Sequence, residues 1–468
     1  MADGPDPLEV AADAARRWLD ALPDRPVRPE AGAREMLAAF DGPLPEEGAD
    51  PSEVIRDLAA RAEPGLMANG SGRFLGWVIG GALPVAIAAD WLVSAWDQNC
   101  AMSEPFPATT MIEQVAAGWV LDALDLPREA SVGFVTGGQM ANTVCLTAAR
   151  NRVLAAHGWD VEALGLQGAP RVHVLMGAER HDSIDLALRA IGLGAATATV
   201  VPSDGAGRVD PDAFVAAAAA LDGPTIACLQ VGNVNGGAVD DVGAIAPAVR
   251  RDDLWLHADG AFGLWARAAP STRALVEGVE AADSWATDAH KWLNTPYDCG
   301  VAICAHPDAH RRAMGVRAAY LPAGDDAGLR DPVDYNPELS RRARAVPVWA
   351  ALRSLGRRGV ADLVERCCAM AAVLATRVAE GGGEVLHQEL NQAVVRFPDP
   401  RGADDDAHTR AVLARTQAEG TCFPSGTVWH GLAGIRLSVT SWRAGPDDME
   451  RAAAALLAAH AGAAPAGA

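Results

Sequence analysis

The chain runs to 468 residues, half of them hydrophobic, with a formal charge of −21. That length exceeds one ordinary core and implies two or more lobes. Scattered rather than periodic Gly and Pro exclude fibrous and disordered classes, and the acidic balance excludes a nonspecific nucleic-acid binder. The eight cysteines show no CxxC spacing, so a reduced, cytoplasmic protein is expected, without a disulfide framework or zinc site.

The beginning of the chain, Met1-Ala-Asp-Gly-Pro-Asp6, lacks the basic-then-apolar order of a signal peptide. Residues 1–75 alternate short helical stretches (Ala11–Leu22, Ala31–Phe40, Ser52–Arg61) with Pro- and Gly-rich breaks. They hold too few apolar positions for a core of their own, and are expected to form an arm packed on another lobe or subunit. The apolar run Leu75–Trp96 is interrupted by Gly80, Gly81, Pro84 and Asp90; it is expected to be protein interior rather than a membrane span.

Residues 76–346 alternate strands with helices. The predicted strands are Ser131–Thr136, Arg171–Met176, Thr197–Val201, Thr225–Val231, Asp253–Asp259, Asp283–Thr287 and Gly300–Cys304. The intervening helical patterns permit parallel crossovers. Residues 347–468 carry helices over Val348–Leu355 and Val360–Glu380, strands over Gln392–Phe397 and Gly434–Thr440, and an Ala-rich final helix. This last part is expected to be a small α+β lobe.

Two motifs carry the chemistry. Leu254-Trp-Leu-His-Ala-Asp259 ends a buried strand on a carboxylate, and Asp283-Ser-Trp-Ala-Thr-Asp-Ala-His-Lys-Trp292 ends another near a lysine. Ligands bind at such strand ends in open α/β sheets. A lysine that forms an imine needs a crowded site poor in water, and an aspartate can keep a pyridine nitrogen protonated. Asp259 and Lys291 together point to pyridoxal 5'-phosphate (PLP). Upstream, Phe134-Val-Thr-Gly-Gly-Gln-Met-Ala-Asn142 joins a strand to a helix expected over Asn142–Ala156, and its glycines suit a phosphate at a helix N-terminus. In Glu179-Arg-His181-Asp-Ser183, His181 can stack on a planar ring, or Asp182 or Ser183 can simply cap a helix. Asn233, Asn235 and Asp240 surround Gly236-Gly237; the segment is an ordinary turn signal, although either amide could reach the cofactor's phenolic oxygen.

The order of GGQMAN, HDS, HADGAFG and TDAHKW resembles that of the PLP-dependent group II decarboxylases, aromatic-L-amino-acid decarboxylase-like, across residues 70–440. The resemblance implies an α/β protein of PLP fold type I, aspartate aminotransferase-like. Its large PLP-binding domain (76–346) would carry a mostly parallel mixed sheet, between the N-terminal helical arm (1–75) and a small α+β C-terminal domain (347–468). It also implies a homodimer that shares its active site and a small amino-acid substrate, with no nucleic-acid or membrane partner. Lys291 then matches the imine-forming lysine, Asp259 the partner of the pyridine nitrogen, and His181 the stacking imidazole. Gly137, Gly138 and Gln139 match phosphate-binding positions, and His290 the histidine beside the lysine. Ala261, Thr287, Asn233 and Asn235 complete the expected cofactor contacts. Tyr320 matches a loop tyrosine that protonates the substrate carbon after CO2 leaves.

Departures from the family pattern are Val234 at the centre of Gly232-Asn-Val-Asn235, where a threonine is usual, and Gln139-Met140 in place of Ser-Glu. Asp288 replaces an Asn and is expected to point away from a phosphate. Trp77, Val78 and Ile79 occupy the substrate-pocket region, with Pro107–Thr110 approaching from the partner subunit. That pocket suits an aromatic or apolar L-amino acid, while Arg73 and Arg436 are the candidates for binding an acidic one. The activity implied is decarboxylation to CO2 and an amine. The alternatives are an aldehyde synthase, an aminotransferase, a carbon–carbon lyase or a non-catalytic partner protein.

Overall fold

The computed structural model describes residues 6–315 and 328–462; Tyr320 lies outside them. In chain order the strands are β1 (Phe74–Leu75), β2 (Ser131–Val135), β3 (His173–Gly177), β4 (Thr199–Val201), β5 (Thr225–Gln230) and β6 (Leu254–Asp259). They continue with β7 (Ser284–Asp288), β8 (Gly300–Cys304), β9 (Glu384–Glu389), β10 (Gln392–Arg396), β11 (Phe423–Trp429) and β12 (Leu432–Ser438). The protein is α/β with a mostly parallel mixed sheet and a C-terminal α+β region.

Seven strands form the larger sheet in the order β2-β8-β7-β6-β5-β3-β4. Pairing is parallel from β7 through β4, whereas β8 runs antiparallel to both β7 and β2. β2, β6, β7 and β8 are buried at every position, as strands covered on both faces must be. The helix Gly138–Ala156 lies against this sheet through Ala141, Val144, Cys145, Ala148 and Ala149. These small side chains let its axis approach closely and bring its N-terminus to the carboxyl ends of the strands.

The smaller sheet has the order β1-β11-β12-β10-β9. Its core includes Leu75, Leu374, Val395, Phe397, Ile435 and Leu456. The two-residue β1 is too short to show periodicity, and it pairs with β11 through Phe74 and Phe423. β9 and β11 also escaped sequence reading; their exposed and half-buried residues give no clean alternation. The helical run Ala345–Glu380 links the two sheets and breaks at Gly356, whose φ of 62° is readily adopted by glycine. The predicted stretches Val348–Leu355 and Val360–Glu380 flank that break.

The run Leu75–Trp96 is only partly interior. Helix Pro84–Trp96 buries Ala86, Ala89 and Val93, but Trp91, Leu92 and Trp96 remain 44%, 49% and 44% exposed. The helix is apolar except for Asp90 and Ser94, which bond Arg342, and its own chain covers one face. Among the described residues no helix is long and apolar enough to cross a membrane.

Arg341 ties several elements together. It bonds Glu113 Oε2 at 2.8 Å and the carbonyls of Cys100 and Phe134, with both charged side chains fully buried. Removing Arg341 leaves the buried Glu113 carboxylate with only Arg330, 3.7 Å away, as a cation partner among the described residues. Arg341→Met is therefore expected to lose about 3–5 kcal/mol of stability, read from denaturant melts; a loss under about 1 kcal/mol would refute this role.

Candidate active site

Strand register assembles the site. Asp259 ends β6 and pairs with Ala286 of β7, and β7 then ends at Asp288, three residues before Lys291. Both strands therefore deliver their polar ends to one sheet edge. The glycine turn arrives from the β2 side. A Cβ on Gly300 would lie 2.4 Å from Gly137, and one on Gly138 would lie 2.7 Å from Asp288 Oδ2. These glycines allow the backbones to touch.

Asp259 is buried. Its Oδ2 accepts from Asn142 Nδ2 at 3.2 Å and its Oδ1 from the Ala261 amide at 3.2 Å. Lys291 Nζ lies 3.1 Å from Asp288 Oδ2. His181 caps the helix Asp182–Ala190 itself, its Nδ1 accepting from the Ser183 amide at 3.2 Å. Burial lowers the His181 pKa, and the charges of Asp259 and Lys291 both reach it. His290 is also lowered by burial, despite Asp288; its Nδ1 accepts from the Cys299 amide at 3.0 Å, and its Nε2 lies 3.5 Å from Asp288 Oδ1. Lys291, Asp259, His181, His290, Gly137 and Gly138 thus converge.

Helix Gly138–Ala156 begins four residues earlier than expected, with Gly137 at its N-cap and no side-chain cap. Gln139 turns back along this helix, its Nε2 donating to Thr143 Oγ1 at 3.1 Å, so only its backbone belongs to the turn. Asp288 is a clear correction. It points into the glycine turn rather than away from it, held there by the positive Lys291.

Other expected contacts are engaged elsewhere. Asn233 Oδ1 accepts from the Asn235 and Gly236 amides, and its Nδ2 donates to Glu179 O and Gln230 Oε1, so the turn reading holds for it. Asn235 Oδ1 accepts from Thr427 Oγ1 at 2.8 Å. Thr287 is fully buried, with its hydroxyl 3.4 Å from Ala261 O. Val78 is buried in the main core, whereas Trp77 is half exposed beside Phe74 and Phe423 and Ile79 is half buried. Arg73 is fully buried among the carbonyls of Pro23, Arg25 and Thr421 and is removed as a substrate ligand. Thr109 and Thr110 are buried within this chain, their hydroxyls on Phe106 O.

Two site residues escaped sequence reading. Asn142 carries only a helix-start signal in the sequence, and its place beside Asp259 depends on a contact across 117 residues. Tyr297 stacks on His290 with ring centroids 4.3 Å apart. No local pattern marks it.

The residues fit PLP. An uncapped helix start offers backbone donors to a phosphate, a buried carboxylate faces the same edge, and a lysine stands beside it. Asp288 is the one member of the set that opposes the anion, because a carboxylate can only accept.

The sequence model of the pyridoxal-dependent decarboxylase conserved domain matches residues 34–398. The chain belongs to this family. It is a PLP-dependent carboxy-lyase acting on amino acids. It is 27% identical to tryptophan decarboxylase 1 of Oryza sativa subsp. japonica, over 93% of this chain and 89% of the relative. It is 26% identical to L-2,4-diaminobutyrate decarboxylase of Rhizobium meliloti, over 90% and 84%. The crystal structure of Oryza sativa TDC with PLP and tryptamine shares the fold at a TM-score of 0.90, with 24% identity and 97% of each chain covered.

Asp288 generates a prediction of its own. A carboxylate in the phosphate cup repels the cofactor's anion, so Asp288→Asn should bind PLP about tenfold tighter, about 1.4 kcal/mol. Fluorescence titration of the apoenzyme measures this; unchanged or weaker binding would show that Asp288 does not oppose the phosphate.

Proposed function

We propose that this decarboxylase acts on an aromatic or apolar L-amino acid, as a cytoplasmic homodimer with a shared active site. The observation that carries the substrate reading is the aromatic group of Phe74, Trp77 and Phe423, with ring centroids about 6 Å apart. The turn that holds Trp77 packs closely on the lysine segment, where a Cβ on Gly80 would lie 2.6 Å from Lys291 O. Trp77 and Val78 both have positive φ. Such strain in bulky residues persists where the surroundings impose it, and is found preferentially at functional sites.

When bound, PLP supplies an electron-withdrawing pyridinium ring that accepts the electron pair released as CO2 departs. Asp259 would hold the proton on the ring nitrogen. Lys291 would offer its amine for the covalent attachment, Gly138 and the backbone of Gln139 would hold the phosphate, and His181 would stack on the ring. Its Nδ1 accepts hydrogen bonds from Ser183, so in the neutral ring the proton sits on Nε2, where it can donate a hydrogen bond. Tyr320 is the proton donor proposed for the substrate carbon.

Arg436 orients the substrate carboxylate. Burial lowers its guanidinium to about 10, its Nε lacks a partner among the described residues, and its charge reaches His181. Binding of this kind positions the bond that breaks.

The homodimer rests on exposed apolar surface. Helices Pro7–Ala21, Pro51–Ala62 and Pro84–Trp96 border a groove lined by Val10, Trp18, Ile55, Leu58, Trp91 and Tyr297. It reaches Tyr297, and through it His290. Apolar surface of this extent beside a reactive site fits a second subunit.

The test is to purify the protein with PLP and screen amino acids for CO2 and amine, with Lys291→Ala as control. Aromatic or apolar substrates yielding CO2 and amine, lost in the variant, are expected. Aldehyde, ammonia and peroxide instead of amine would assign an aldehyde synthase, and turnover of an acidic or diamino substrate alone would overturn the substrate reading. The pH profile is a second check. His181 and His290 have pKa values lowered from 6.5, so both remain neutral as pH falls to that value; kcat/KM should hold to pH 6.5 and decline only below it.

A further inference from the structure

Behind Asp259 lies a chain of buried side chains to which the decarboxylase reading assigns no role. Trp255 Nε1 donates to Ser284 Oγ at 2.8 Å, and Ser284 Oγ lies 2.9 Å from His257 Nδ1. His257 Nε2 lies 2.9 Å from Asn142 Oδ1, and Asn142 Nδ2 donates to Asp259 Oδ2 at 3.2 Å. Trp255, Ser284, His257, Asn142 and Asp259 are all buried.

The chemistry of the groups sets the direction of every bond. An indole N–H can only donate and a carboxylate only accept. The Asn142 amide must give an N–H to Asp259, so its oxygen receives the His257 Nε2 proton. In that tautomer His257 Nδ1 accepts from the Ser284 hydroxyl, whose oxygen accepts from Trp255. Four donors in series therefore point toward one carboxylate, each polarising the next. The other Asn142 N–H reaches Ser183 Oγ at 3.2 Å, and Ser183 Oγ lies 2.9 Å from His181 Nδ1. One amide thus holds the carboxylate and, through Ser183, the stacking imidazole.

We infer that Asn142 is a positioning residue, which with His257 and Ser284 keeps the proton shared by Asp259 and the cofactor on the ring nitrogen. Donors aimed at a carboxylate favour its charged form, and a charged Asp259 leaves the proton on the ring. Asn142 also fixes the carboxylate plane, since each oxygen of Asp259 already holds one donor from within the protein. Losing Asn142 shifts the proton toward Asp259 and weakens the ring as an electron acceptor. The inference rests on the reading of Asp259 as the ring-nitrogen partner.

The test uses holoenzyme reconstituted with PLP labelled with 15N in the ring, and reads the nitrogen chemical shift by NMR. The unmodified enzyme should show a protonated nitrogen. Asn142→Ala and His257→Phe should move the shift toward unprotonated pyridine. His257→Gln, whose amide can donate as Nε2 does, should restore it, and Ser284→Ala should move it less. kcat should fall about tenfold in Asn142→Ala with KM little changed, the loss of one charged hydrogen bond. If Asp259→Ala loses the protonated signal while Asn142→Ala and His257→Phe both keep the unmodified shift, the relay is overturned and the reading of Asp259 stands. An unprotonated nitrogen in the unmodified enzyme overturns both.

Discussion

Three glycines permit the contact on which this site depends. Gly137 and Gly138 open the helix that runs behind the sheet, and Gly300 starts the strand after the lysine turn. Any side chain at Gly138 or Gly300 would strike Asp288 or the Gly137 backbone. Because none is present, the positive end of a helix dipole, a carboxylate and the Lys291 amine meet at one sheet edge. The rest follows from the strand order. β6 and β7 are parallel neighbours, so their carboxyl ends, and the residues beyond them, emerge side by side.

The electrostatic design differs on the two sides of that edge. Asp259 is embedded in neutral donors whose orientation is dictated from Trp255 outward, and its charge is matched by dipoles rather than by a cation. Asp288 is paired directly with Lys291 and lies near His290. The first arrangement is preorganised and independent of what enters the cleft. The second must rearrange when Lys291 changes its bonding, which makes Asp288 the more responsive carboxylate. Burial lowers His181, which is within reach of the charges of Asp259, Lys291 and Arg436.

Around this rigid centre, the N-terminal region supplies surface. Its helices bury almost nothing of their own, yet residues 23–27 are pinned to the C-terminal lobe by Arg73 and by the Val27 amide on Gly420 O at 2.8 Å. The apolar face of Pro84–Trp96 continues the same surface toward Tyr297. The arm is thus anchored at one end, while Leu8, Leu37, Val54 and Leu58 stay exposed along its helices.

The amino-acid order by itself determined the alternation of strands and helices, the polar ends of the strands before Asp259 and Lys291, and the glycine turn before a helix. Each depends on local periodicity or on a short motif whose chemistry is carried by residue type. Strands such as β6 and β8 were legible because they are continuous apolar runs between turns, whereas β1, β9 and β11 were not, being too short or too mixed in exposure. Tertiary structure alone decided which polar residues face the site. Asn233, Thr287 and Arg73 look available in the sequence, but a buried polar group takes the nearest partner the fold provides, and theirs lie within the protein. Asn142 and the inward turn of Asp288 depend on contacts between distant segments, and Tyr297 on the fold of the loop after Lys291, so only packing could bring them into the site.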